Sequence, residues 1–504
     1  MESLADEVED VRALVGRHFA IYDIRVRPEA IAFYVRVEEG RLDEKFEALR
    51  RDMRDGRRYI PVLRLEGGEH ILYVQRNPPR RVRGPWLNVV LLAATLVTTL
   101  IAGMGHWASY NGSPEFFSLS NALFGGLYFA LPLLTILGTH EMGHFIMARR
   151  HKVAASLPFF IPAPPPIIFG TFGALISMRE PIPNKKALMD IGMAGPLFGL
   201  AVALPVTLLG LYLNALDPRS IGPNVGGGTL VNLPFLYQAL LFAVPIPDDA
   251  LLHPTAFAGW VGFLVTGLNL LPAGQLDGGH VARALLGDRA RYLSYAAFAI
   301  LLALGLVIFP SWIILAFLVL LLGLRHPPPL NDITRLDTRR RLAGVGVMIL
   351  LVLSLHYVPL QGIDVTLAAE FRDPADPLVA LTYLSEEDHV QEDTRTLVAG
   401  ELAYTFILNI TGNVRTVVFL SFGTSIANLR DWDIFFASVD NVEIRGDNAT
   451  VTLDATGSVV GTVLIRAPAF LPPGATRLLE IVADLRAEAF GGQAKTVLAL
   501  TIQV

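Results

Sequence analysis

The sequence predicts a polytopic α-helical membrane protein with about seven crossings and a re-entrant segment. An N-terminal α+β domain and a C-terminal all-β, immunoglobulin-like sandwich flank it. Three observations predict this. The middle of the 504-residue chain holds several runs close to the ~20 apolar residues that span a bilayer, whereas both ends are mixed and polar. Arginines and lysines gather between alternate runs. Beyond about residue 362 the pattern changes to short strands separated by turn residues. The boundaries expected are therefore 1–84, 85–361 and 362–504.

In the first segment, Leu4, Val8, Val11 and Val15 recur at helical spacing. The strands FAIYDIRV and AIAFYVRV follow, and Leu42, Phe46, Leu49 and Met53 mark a second helix. YIPVLRLE and HILYVQR are expected to pair across the turn Gly67-Gly68. Helix-strand-strand thus occurs twice. A regulatory or partner-binding module and a plain stabilising domain both fit.

The crossings are expected at about 86–106, 122–148, 188–213, 254–272, 290–308, 311–325 and 343–358. Charge orients them. Arg76, Arg80, Arg81 and Arg83 precede the first; Arg149, Arg150 and Lys152 follow the second; Lys185 and Lys186 precede the third. Arg283, Arg289 and Arg291 lie between the fourth and fifth, and Arg335, Arg339, Arg340 and Arg341 between the sixth and seventh. The loop SYNGSPEFFSLS has no Lys or Arg. The positive-inside rule then places the N-terminus in the cytoplasm and, after an odd number of crossings, the C-terminal domain outside. The N-terminus, acidic and amphipathic, does not read as a signal or transit peptide, so a prokaryotic cell membrane is the expected location.

Two apolar stretches do not fit simple spans. LPFFIPAPPPIIFGTFGALISM, 157–178, is broken by prolines and glycines and cannot be one helix. It is expected to be a re-entrant or interfacial loop leading into a strand, because non-helical backbone at membrane depth needs protein or a water-filled cavity to cover it. LVNLPFLYQALLFAVPIPDD is expected near the outer surface. In the last domain, YTFILNI, RTVVFLSF, ATVTLDA, GTVLIRA and KTVLALTIQV alternate as sandwich strands do. Asn409 and Asn448 head N-x-T triplets, which arise often by chance.

Composition removes several functions. With no cysteine, disulfides, zinc-thiolate sites and cysteine nucleophiles are excluded. The net charge of −5, without a basic patch interleaved with aromatics, gives no support for nucleic-acid binding. The expected partners are the bilayer, a transmembrane protein substrate, and proteins that the sequence does not specify for the two end domains.

The chemistry lies in GTHEMGHFIMARR, at the end of a span. His140 and His144 are four residues apart, so on a helix they share one face. Neutral imidazoles at that spacing can hold one Zn²⁺, with Glu141 beside the metal as general base. His140 lies roughly 13 Å along the helix from Arg149, inside the hydrocarbon but nearer the basic side. Ionisable groups there are expensive and are kept for function. A third protein ligand is usual. Asp277, in GLNLLPAGQLDGGH, returns at a similar depth, with Pro272, Gly274, Gly278 and Gly279 breaking the helix around it. Capping of the next helix is the other role open to Asp277.

HEMGH, together with Asn269, Pro272, Asp277 and Gly278 in N-x-x-P-x-x-x-x-D-G, resembles the site-2 protease family of intramembrane zinc metalloproteases, peptidase M50. FGTFGALI, REPIP and DIGMAGPLFG are similar to the branch that contains the plant EGY proteins. The likeness covers residues 85–341 and leaves the C-terminal sandwich aside. It implies one zinc held by His140, His144 and Asp277, a catalytic Glu141, and an Asn269 that helps hold substrate or the oxyanion. It also implies cleavage of transmembrane or membrane-tethered proteins near the cytoplasmic face. Bonding of backbone freed by Pro272 is the other role open to Asn269, and Gly195–Gly199 are expected to serve close helix packing. A catalytically silent scaffold keeping the fold is the alternative function. A transporter that relays protons through the same side chains is the other, and metal content separates it.

Overall fold

A computed structural model gives the structure. It describes residues 4–27, 29–55, 59–77, 84–219, 229–246 and 250–356, and beyond them the strands named below. The chain divides into two compact units, Met1–Arg219 with Leu233–Pro359, and Ser220–Asn232 with Leu360–Val504.

The first unit begins with α1 (Leu4–Gly16), β1 (Ala20–Val26), β2 (Ile31–Arg36), α2 (Leu42–Asp55), β3 (Tyr59–Glu66) and β4 (Glu69–Arg76). The strands form one antiparallel sheet in the order β1-β2-β4-β3. The hairpin turns at Gly67 and Gly68, both at positive φ, where glycine alone avoids a steric cost. Val11 and Val15 of α1 and Phe46 and Leu49 of α2 bury against Phe33 and Leu72 of the sheet. Leu330, from a distant loop, completes this core.

That loop is held as an added strand. Leu63 N–H of β3 donates to Leu330 O (2.8 Å), and Leu330 and Asn331 N–H donate to Ile182 O and Pro183 O (2.9 and 2.8 Å). Arg64 donates to the carbonyls of Pro329 and Leu330, both at 2.9 Å. Asp43 bonds Lys186 (2.6 Å) and Thr334 (2.7 Å), and Arg50 reaches the carbonyl of His151 (3.4 Å).

The helical part follows: α3 (Trp86–Asn111), α4 (Leu119–Gly125), a π-helical turn (Gly126–Ala130), α5 (Leu131–Arg150), a hairpin of β5 (Phe159–Pro162) and β6 (Thr171–Leu175), and α6 (Lys185–Leu216). After these come α7 (Phe235–Leu241), α8 (Pro254–Asn269), α9 (Asp277–Leu286), α10 (Ala290–Val307), α11 (Ser311–Leu322) and α12 (Thr338–Ser354). Among the described residues, four stretches are long and apolar enough to cross a membrane: Trp86–Asn111, Leu119–Arg150, Lys185–Leu216 and Asp277–Val307. The protein is therefore a polytopic membrane protein. α8, α11 and α12 are shorter, at 16, 12 and 17 residues.

The proline-rich stretch 157–178 forms the β5–β6 hairpin, paired from Phe159↔Leu175 to Pro162↔Thr171. It is pinned to α3: Asn88 donates to the carbonyls of Leu157 and Pro158 (2.7 and 2.9 Å), Thr98 Oγ1 to Gly170 O (2.6 Å), and His106 to Ile168 O (2.8 Å). These bonds satisfy backbone that a lipid environment would leave bare. Gly170 has φ +67°, and a Cβ there would collide with Thr98 backbone.

The second unit is all-β. β7 (Thr229–Val231) pairs with β8 (Leu360–Gly362). β9 (Val365–Arg372), β10 (Thr382–Ser385), β11 (Val390–Thr396), β12 (Glu401–Gly412), β13 (Thr416–Thr424), β14 (Asp433–Val439), β15 (Asn448–Leu453), β16 (Thr456–Arg466), β17 (Thr476–Ala487) and β18 (Gln493–Gln503) follow. They form a six-stranded sheet, β10-β11-β18-β17-β13-β15, and a four-stranded sheet, β14-β16-β12-β9. Phe371, Tyr404, Phe406 and Val463 are buried in it.

Candidate metal centre

Leu133, Ile136, Leu137, His140, Glu141, His144 and Ala148 form one buried stripe along α5. They recur at the three- and four-residue steps of a helix face turned to a core. The apolar spacing that makes α5 a buried helix therefore also aims its histidines inward. His140, Glu141 and His144 are 2%, 5% and 6% exposed, so none of them can rely on bulk water.

The partners arrive from the break between α8 and α9. Pro272 cannot continue α8, and Gly274 turns at φ +54°. A Cβ on Gly278 would collide with Leu270 O, and one on Gly279 with Gly274 O, so only glycine lets α9 start this close to the end of α8. The turn brings Asn269, the last residue of α8, and Asp277, the first of α9, to the same imidazole. Asp277 Oδ2 lies 3.1 Å from His140 Nε2 and 3.2 Å from His144 Nε2. The two Nε2 atoms are 3.3 Å apart, and Asn269 Nδ2 is 3.3 Å from His140 Nε2.

His144 Nδ1 donates to Ile191 O at 2.8 Å. That bond places the ring proton on Nδ1 and leaves the Nε2 lone pair facing Asp277 and His140. Two lone pairs and a carboxylate oxygen crowded together repel one another unless a cation lies between them. A tetrahedral ion with bonds of about 2.0–2.1 Å sets its ligands about 3.3 Å apart. The three donor atoms already stand at that separation, so the residues fit a zinc-type ion. Among the described residues, His140, His144 and Asp277 are the one group of this kind.

α6 shapes the other wall. Gly192, Gly195 and Gly199 lie along one side of it. A Cβ on Gly195 would collide with His144 Nε2, one on Gly199 would come within 3.0 Å of His140 Nδ1, and one on Gly192 within 2.7 Å of His280 Cβ. Gly143 of α5 meets Ala194 O in the same way, at 2.6 Å. The close packing expected of Gly195–Gly199 is therefore packing against the ligand rings themselves.

Sequence reasoning missed two supports. Ile191 acts through its carbonyl, which no side-chain pattern signals. The other is Asp190, in the second turn of α6. It accepts from Arg340 of α12 at 2.7 and 2.8 Å and from His151, just past α5, at 2.8 Å. It thus ties three helices together one residue from the carbonyl that orients His144; a carboxylate inside an otherwise apolar span was its signal. His253 is buried and caps α8 by accepting from Thr255 N–H at 3.2 Å.

A buried His–His–Asp triangle with an adjacent glutamate, on helices of a membrane-spanning region, defines a candidate metal centre. Residues 128–310 match the model of Peptidase family M50. It is similar to the Probable zinc metalloprotease EGY1, chloroplastic, of Oryza sativa subsp. japonica, at 35% identity over 45% of this chain and 40% of the relative. The Arabidopsis thaliana protein of the same name is 34% identical over 44% of this chain and 42% of its own length. Probable zinc metalloprotease EGY2, chloroplastic, of Arabidopsis thaliana is 31% identical over 45% and 41%. The chain thus spans about two fifths of the length of these curated relatives.

Proposed function

We propose that the chain is an intramembrane zinc metalloprotease that hydrolyses peptide bonds of transmembrane or membrane-tethered proteins near the cytoplasmic face, and so serves regulated intramembrane proteolysis. The observation that carries this reading is the triangle of His140 Nε2, His144 Nε2 and Asp277 Oδ2, at 3.1–3.3 Å, beside a buried Glu141. These three atoms would hold one zinc. Bound there, zinc would bring the pKa of a water down to about 7 and polarise a peptide carbonyl.

The chain's own residues supply the rest. Glu141 accepts the proton from the attacking water and delivers it to the leaving amine. Asn269 Nδ2, within 3.3 Å of His140 Nε2, is placed to donate to the developing oxyanion. The glycines of α6 hold the imidazoles without steric conflict. Among the described residues, β6 has β5 on one side and no strand neighbour on the other, and the Ile176 backbone that follows it faces Glu141. Its free edge is suited to pair with an unwound substrate segment by strand addition.

Topology belongs to the same proposal. Seven crossings, with the N-terminus cytoplasmic and the C-terminal β-domain outside, agree with two pairings. The N-terminal domain holds His151, Lys186 and the 329–334 loop at once, which requires all three on its side. β7, after α6, pairs with β8, after α12, which puts those two helix ends on one side. The same proposal divides the chain into three domains, 1–84, 85–361 and 362–504, with an immunoglobulin-like sandwich as the last.

The test is cleavage of tagged single-span substrates co-expressed with the chain or with Glu141→Gln. Loss of a positioned general base costs about 10²–10⁴-fold, so products should vanish in the variant while one zinc per chain stays bound. No product from either form, with zinc present in both, would leave the silent scaffold as the better reading.

A further inference from the structure

α9 has a second face. Four residues after Gly279 on this helix, Arg283 lines a cavity of about 510 Å³. Arg291 and Arg325 also line it, with Asp288, Ser294 and His326. Arg283 is only 3% exposed. Its Nη2 is used by Asp332 (2.7 Å) and Asp288 (3.1 Å). Its Nη1 is buried with no hydrogen-bond partner. A buried guanidinium N–H without a partner costs free energy, and natural proteins seldom leave one. Nη1 borders Gly287, where a Cβ would lie 3.5 Å away.

Charge identifies what fits. Three guanidinium groups line the cavity against one carboxylate, Asp288, which is itself largely exposed. Asp332 lies behind Arg283 and also faces Lys185 at 3.5 Å. The cavity therefore keeps a surplus of positive charge. Arginine forks match the paired oxygens of a phosphate.

The surroundings identify the source. Arg291 donates to Tyr292 OH (2.9 Å) and Arg325 to Tyr295 OH (3.1 Å). Leu286, Tyr292, Leu293 and Tyr295 are exposed alongside, on helices of a membrane-spanning region. Tyrosines beside basic residues mark the headgroup level of a bilayer. Basic pockets between membrane helices on the cytoplasmic side take lipid phosphates.

We infer that this cavity binds the phosphate of an anionic membrane lipid, with Arg283 Nη1 as its deepest donor and Arg291 and Arg325 at its rim. The inference does not depend on proteolysis, because its readout is binding alone. α9 also begins with Asp277, so the lipid would sit on the helix that carries a metal ligand.

The test is native mass spectrometry of the full chain in neutral detergent, with phosphatidylglycerol, phosphatidylcholine and inorganic phosphate as probes. One phosphatidylglycerol per chain should be retained about tenfold better than phosphatidylcholine. The double substitution Arg291→Gln/Arg325→Gln, at rim positions that leave the core untouched, should remove that preference. Arg283→Gln should remove it as well, and the rim variant decides the matter if Arg283→Gln does not fold. Inorganic phosphate failing to displace the lipid at equal concentration supports the lipid source. Displacement supports the phosphate site but assigns it to a soluble phosphate-bearing ligand. Equal retention of the two lipids, or a preference that survives the rim substitutions, overturns the assignment.

Discussion

At the scale of single residues, the centre works through atoms that have no other role. His144 spends its Nδ1 proton on Ile191 O and so has one nitrogen left to offer. Gly195 contributes only an absence of atoms. Gly195→Ala is a favourable change for helix propensity, yet its methyl would occupy the place of His144 Nε2. The expected outcome is a chain with wild-type helix content by circular dichroism and a large loss of bound zinc by elemental analysis. Full zinc occupancy in that variant would show that α6 can retreat from the ring. The ligands themselves are legible in the sequence, because a helix fixes which residues lie four apart. The Ile191 carbonyl is not, since every residue has one.

At the scale of elements, two devices hold the centre in place. Asp190 joins α6, α12 and the end of α5 through Arg340 and His151. Asp190→Asn weakens charge-assisted hydrogen bonds and should destabilise the bundle by roughly 2 kcal/mol. A lower thermal midpoint in detergent is the measurement, and an unchanged midpoint would show that packing alone joins the helices. The other device is the hairpin pinned to α3. Gly170→Val would force a β-branched residue into positive φ and against Thr98 backbone. It should displace β6 and strongly reduce cleavage while leaving zinc bound, which distinguishes it from Gly195→Ala. The five prolines in 157–178 rule out a helix from sequence. They do not say that Asn88, Thr98 and His106 of a helix some sixty residues earlier would bond the hairpin backbone.

At the scale of the whole molecule, the N-terminal domain is built into the first unit. It takes Leu330 into its core and adds the 330–331 backbone to the edge of β3, which covers an otherwise open strand edge. The topology proposed from charge has a direct check, because the chain lacks cysteine. Single substitutions Glu69→Cys and Glu115→Cys place one thiol on the proposed inner side and one on the outer. A membrane-impermeant maleimide applied to intact cells should label the second alone, and labelling of Glu69→Cys in intact cells would reverse the orientation. By itself the sequence determined the class: apolar run lengths require a membrane, the change of period near 362 requires a separate β-region, and HExxH with a later Asp277 names the candidate metal ligands. These features are local, set by helix pitch and by the cost of putting charge in lipid. Tertiary structure alone decided that the donor atoms converge to 3.1–3.3 Å, that α6 glycines make room for the rings, and that Arg283, which lines a cavity, is left with an unpaired buried nitrogen. Each of these depends on the approach of segments far apart in the chain, and no local pattern encodes that distance.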